Sequence, residues 1–225
     1  MVTTASAGNT FAVTVLDLLT VAVLAVVGVR LFEAARTSVG ARHRTWGVVR
    51  GLRVRHFLRA IPIVAVIVST AWVLIQLPVL SFGWWSLLGG EGNPVVGVTD
   101  RDYGVVSAVL PLCFIGLLIV GMPLLVAREE WVFRRGAEQR GTVDNLGRSV
   151  VFGLAHAVIG IPIGAALALS IGGAYLTWCY LQGWQETRSQ PGALLESTRA
   201  HLAYNLTIVA LVLASLAALY ATGTA

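Results

Sequence analysis

Three groups of residues carry chemistry in this chain by their types and spacing. Glu129-Glu130-Trp131-Val132-Phe133-Arg134 sets two adjacent carboxylates near an arginine. Glu130 and Arg134, four residues apart, share a helix face as an ion pair, so Glu129 points elsewhere. Phe152-Gly153-Leu154-Ala155-His156 puts an aromatic ring and an imidazole on one helix face, and imidazole is the usual general acid or base side chain. His201-Leu202-Ala203-Tyr204-Asn205 repeats the spacing with two hydrogen-bond donors, the pair that a developing oxyanion needs in a dry site. Taken singly, each string also reads as ordinary: a solvated helix-end pair, a hydrogen-bonded core histidine, a polar contact between helices.

The elements that must position these groups follow from composition. Of 225 residues, 56% are hydrophobic and 12% charged, and the mean hydropathy is +0.79. So few charges cannot cover a soluble domain of this size, and the class expected is an all-α, polytopic membrane helix bundle. Apolar stretches lie near 11–29, 59–81, 104–127, 149–183 and 199–221. The fourth exceeds one span and contains Gly160-Ile161-Pro162-Ile163-Gly164; because proline breaks a helix, it divides into helices near 149–159 and 162–183. About six transmembrane helices result. Residues 1–10 lack a basic segment, so the first run reads as a membrane helix and not a signal peptide, with Asp17 as an ionisable group inside it. Small residues across 160–174 suit close helix packing.

The net charge of +5 comes from arginine, since the chain has no lysine. Arg30, Arg36, Arg42, Arg44, Arg50, Arg53, Arg55 and Arg59 face one acid, Glu33, between the first two spans, which makes that loop cytoplasmic. The loop 82–103 holds Glu91, Asp100 and Asp102 against Arg101, and 128–148 is arginine-rich again, so the sides alternate consistently. Topology explains the basic pI without nucleic acid. Both termini then lie outside, the link 184–198 reads as a cytoplasmic surface loop, and Glu129, His156, His201 and Asn205 approach one leaflet. His43 and His56, in the arginine loop, have no comparable setting. Cys113 and Cys179 fall in apolar runs without a visible base, zinc or disulfide pattern. Residues 1–103 read as an N-terminal extension of two helices, and 104–225 as the working core.

The ordered strings E-E-x-x-x-R, F-x-x-x-H and H-x-x-x-N, on separate helices over about 104–222, resemble the CPBP family of glutamic-type intramembrane endopeptidases, the CAAX-protease and bacteriocin-processing group that includes type II CAAX prenyl endopeptidases. The resemblance implies a peptide hydrolase in which Glu129 and His156 activate water, His201 and Asn205 form the oxyanion site, Glu130 and Arg134 order it, and Phe152 packs the motif. It implies no cofactor or metal, a membrane-associated protein or peptide substrate, and a multi-pass cell-membrane protein working near the cytoplasmic face. Two departures stand out: Arg134 is followed by Arg135 before Gly136, and the link 184–198 is long and polar. Rival readings are a metal-dependent membrane protease, opposed by the absence of H-E-x-x-H, and a non-catalytic scaffold or bacteriocin-immunity-type partner. A transporter would need a polar path or repeat pair that is not visible.

Overall fold

The structure, a computed structural model, describes residues 46–83 and 105–222 together with Ala25, Gly28, Val29 and Phe32. The expected first span, Asp17, His43 and nearly all of the acidic loop 82–103 lie outside the described residues. Among those described, all regular structure is helical, as expected: α1 (Val54–Leu74), α2 (Val105–Phe133), α3 (Thr142–Ala155), α4 (Ile163–Thr187) and α5 (Gln190–Thr222). Two of these, α1 and α4, are long and apolar enough to cross a membrane. On α1, Val54, Leu58, Ile61, Val66, Val68, Trp72 and Val73 are each at least half exposed. Each would forgo about 1.5–3 kcal/mol of burial in water but nothing in hydrocarbon, so the outer surface of this helix suits lipid.

The helix ends have local causes. At the start of α1 the Arg53 N–H donates to His56 Nδ1 at 3.0 Å, meeting one of the amides that a first turn leaves open. At the end of α2, Gly136 adopts φ 79°, and the Arg140 guanidinium donates to the carbonyls of Phe133 and Arg134 at 3.2 and 3.1 Å. This is the cationic, left-handed ending that spent carbonyls favour. The expected break within the fourth run is present. The short 3₁₀ turn His156–Ile159 leads to Gly160 at φ 100°, and Pro162 precedes α4. The first free amides of α4 are met from outside the helix: Ile163 N–H donates to Phe82 O at 3.0 Å, and Gly164 N–H to Leu80 O at 2.7 Å.

Three expected boundaries are corrected. The helix placed near 149–159 begins at Thr142, so His156 sits at its C-terminal end and not midway along it. The link 184–198 is not a loop: α4 runs to Thr187, α5 starts at Gln190, and Arg188, at φ 49°, makes the reversal with Ser189. Residues 75–81, expected to complete the second span, are turns and bends instead.

Packing centres on α4, which lies against α1, α3 and α5, while α2 lies against α5. Ala60, Val64 and Ile67 of α1 meet Ala168 of α4 and Tyr204 of α5. Phe152 of α3, Leu176 and Cys179 of α4 and Ala200 of α5 form a second cluster, and Met122 and Val126 of α2 meet Leu202 of α5 in a third. Close approach of α3 and α4 depends on glycine: a Cβ at Gly173 would stand 2.7 Å from the Ser149 carbonyl oxygen. The small residues of 160–174 therefore do serve helix packing.

Candidate active site

The site is built where the C-terminal end of α2 meets the first half of α5, with α3 closing one side. Glu130 is fully buried and Arg134 nearly so; the guanidinium Nε stands 3.8 Å from Glu130 Oε2 one helical turn away. From α5, Ser197 Oγ donates a short hydrogen bond to Glu130 Oε2, and His201 Nδ1 lies 2.8 Å from Glu130 Oε1. Both oxygens of a carboxylate that would be costly to bury alone are thus engaged. Arg134 is held as well: it donates to Gly173 O at 3.2 Å and lies 4.3 Å above the Phe152 ring, a cation–π contact.

His201, 2% exposed, stands between the two glutamates. Since Nδ1 donates to Glu130, its Nε2 carries a hydrogen in the imidazolium form and a lone pair in the neutral form. That Nε2 is 3.6 Å from Glu129 Oε2, and the Glu129 side chain is 37% exposed. The two adjacent carboxylates differ as the spacing suggested: one locked inside, one at the edge and accessible.

Phe152, 2% exposed, is the common wall. Its ring meets His156 edge-on at 4.9 Å between centroids, His201 at 5.7 Å and Phe133 at 5.3 Å. His156 Nδ1 is 2.9 Å from the Phe152 carbonyl. Because a carbonyl only accepts, Nδ1 carries the hydrogen and Nε2 presents a lone pair, and no other side-chain hydrogen bond of His156 is formed among the described residues. Asn205 is half-buried one turn beyond His201, without a side-chain hydrogen bond among the described residues.

Glu129, Glu130, Arg134, Phe152, His156 and His201 are therefore contiguous, and Asn205 borders them on α5. Among the described residues the Glu129 carboxylate pairs with His201; His156 lies across the Phe152 ring. Arg135, the departure from the resembled pattern, points away to Gln190 Oε1 at 3.3 Å, while Gly136 one residue later still supplies the left-handed turn.

Sequence reasoning missed Ser197. The signal was present, since Ser197, His201 and Asn205 recur every four residues along one face of α5. It also missed the setting of His56. Contrary to the expectation of an ordinary loop histidine, it is 1% exposed, with Nε2 3.2 Å from Glu196 Oε1. Glu196 also binds Arg55 at 2.8 Å and approaches Arg199 at 3.9 Å, tying the start of α1 to α5. Among the described residues no group of three or more His, Cys, Asp or Glu side chains converges as a metal site.

No family model, curated protein or solved structure matches the chain.

Proposed function

We propose that this chain is a CPBP-like, glutamic-type intramembrane endopeptidase, a multi-pass protein of the cell membrane that hydrolyses a peptide bond of a membrane-associated protein or peptide near the cytoplasmic face. The observation that carries the reading is His201 held between a buried and an accessible carboxylate, with His156 across the same aromatic ring. Glu129, the exposed partner, accepts a proton from water, and His156 Nε2 orients that water through its lone pair. The oxygen forms its bond to the carbonyl carbon as the carbonyl π electrons move to oxygen. The resulting oxyanion takes hydrogen bonds from His201 Nε2–H, in its imidazolium form, and from the Asn205 amide. Collapse breaks the C–N bond, and the proton held by Glu129 passes to the leaving amine. Glu130, bonded by Ser197, His201 and Arg134, fixes the imidazole and does not itself exchange protons.

Cleavage of a quenched peptide library by wild type and Glu129→Ala, in matched detergent with chelator present, tests this. Wild type is expected to cleave, and the folded variant to lose about 10²–10⁴-fold in kcat/KM. Equal rates would overturn the assignment of Glu129, and abolition of wild-type cleavage by chelator would move the reaction to a metal-dependent class.

A further inference from the structure

Between α3 and α4, beside the turn that follows α2, a cleft of about 270 Å³ opens. Its walls are apolar at Leu146, Leu181 and the half-exposed Trp178, and its floor is polar at Asn145 and Thr177, with Glu138 and Arg140 at the mouth. Asn145 is 8% exposed. Its amide nitrogen donates to Ala137 O at 3.0 Å, which fixes the orientation of the group, and Oδ1 is left buried without a partner among the described residues. Thr177 spends its hydroxyl hydrogen on Gly173 O at 3.0 Å, and Ser149 spends its own on Asn145 O at 2.8 Å. The unpaired group of the floor is therefore Asn145 Oδ1, an acceptor, beside the Thr177 and Ser149 oxygens, which lie 3.4 Å apart. An uncompensated buried acceptor is costly, so this floor calls for an N–H or O–H donor.

The mouth asks for the opposite charge. Arg140 uses one terminal nitrogen to brace the Phe133 and Arg134 carbonyls, but its Nε is buried without a partner among the described residues. Burial first, and the charge of Arg148 second, pull its guanidinium below the ordinary arginine value, a strain that a bound anion relieves. Leu146 of α3, more than half exposed, carries the apolar wall out to the rim, and the cleft lies at the bundle end that carries the arginines.

From this pattern of one buried acceptor, one unpaired guanidinium N–H and an apolar rim, we infer that the cleft binds a phospholipid whose headgroup pairs a phosphodiester with a primary ammonium. The phosphate sits against Arg140, the ammonium donates to Asn145 Oδ1 and the Thr177 oxygen, and the acyl chains run down the apolar rim. The site is separate from the proposed hydrolytic centre and does not depend on catalysis. It touches the same helix end, because the arginine that would hold the phosphate also holds the last carbonyls of α2.

Native mass spectrometry of the intact protein released from micelles reads this directly, with phosphatidylethanolamine, phosphatidylcholine and water-soluble phosphoethanolamine as probes. Phosphatidylethanolamine is expected to bind at least about tenfold tighter than phosphatidylcholine, whose quaternary nitrogen has no hydrogen to donate; loss of one good polar contact is worth about 1.4 kcal/mol, or tenfold. Asn145→Leu should erase the preference, and the near-isosteric Thr177→Val, which keeps the Asn145–Ala137 bond, should cut it about threefold. Equal binding of the two lipids by wild type overturns the inference. So does an undiminished preference in folded Asn145→Leu or, should that variant misfold, in Thr177→Val. Full competition by soluble phosphoethanolamine would overturn the lipid as the source of the headgroup.

Discussion

At the scale of single residues, Glu129 and Glu130 are neighbours in sequence with different environments, and the difference is measurable. Glu130→Ala leaves Arg134 buried without its carboxylate and His201 Nδ1 without its acceptor, so a loss of about 3–5 kcal/mol is expected, read as a lowered unfolding temperature in micelles. Glu129→Gln touches an accessible side chain and should stay within about 0.5 kcal/mol of wild type while abolishing cleavage. Ser197→Ala removes one charge-assisted bond to Glu130, and a stability loss of about 1.5–3 kcal/mol is expected. Because Ser197 is a positioning residue, kcat should fall with KM nearly unchanged; a change in KM alone would place the serine in substrate binding instead.

At the scale of elements, α3 and α4 form a hairpin whose separation is set by glycine. A methyl at Gly173 meets the backbone of Ser149, which cannot swing aside, so Gly173→Ala should cost about 1–3 kcal/mol through overpacking. Gly147, on the exposed face of α3 with nothing within 4 Å of a built Cβ, is the control: Gly147→Ala should stabilise by about 0.4–1 kcal/mol. Thermal unfolding of the two variants checks both signs. The break at Gly160 and Pro162 was legible in the sequence because proline and left-handed glycine act through the backbone alone. The starts at Thr142 and Gln190 were not, since hydropathy marks the depth of lipid and a helix continues past it wherever polar residues keep the backbone bonded. The same blindness hid Ser197, Glu196 and His56. Their partners come from other helices, and spacing within one helix reveals which side chains share a face but not what that face meets.

At the scale of the whole molecule, Ala137 of the turn after α2, Tyr180 of α4 and Ala193 of α5 cluster together, and Glu196 links the same region to Arg55 of α1. One end of the bundle thus gathers Arg55, Arg134, Arg135, Arg140 and Arg199, whereas Leu80, Phe82 and the start of α4 occupy the other. The arginine-rich end should face the cytoplasm. In a background where Cys113 and Cys179 are alanine, a membrane-impermeant maleimide should label Ser81→Cys in intact cells and Gln185→Cys only after the cells are opened; the reverse pattern would invert the protein. The pair of amides that Ile163 and Gly164 direct to the carbonyls of Phe82 and Leu80 has a consequence for biogenesis. With α4 in a membrane, as proposed, hydrocarbon offers those amides no substitute partner. Ribosomal synthesis delivers residues 80–82 some eighty residues ahead of the helix that needs them, so the acceptors can already be docked when α4 arrives. A nascent chain lacking that early segment would have to insert α4 with its leading edge uncapped.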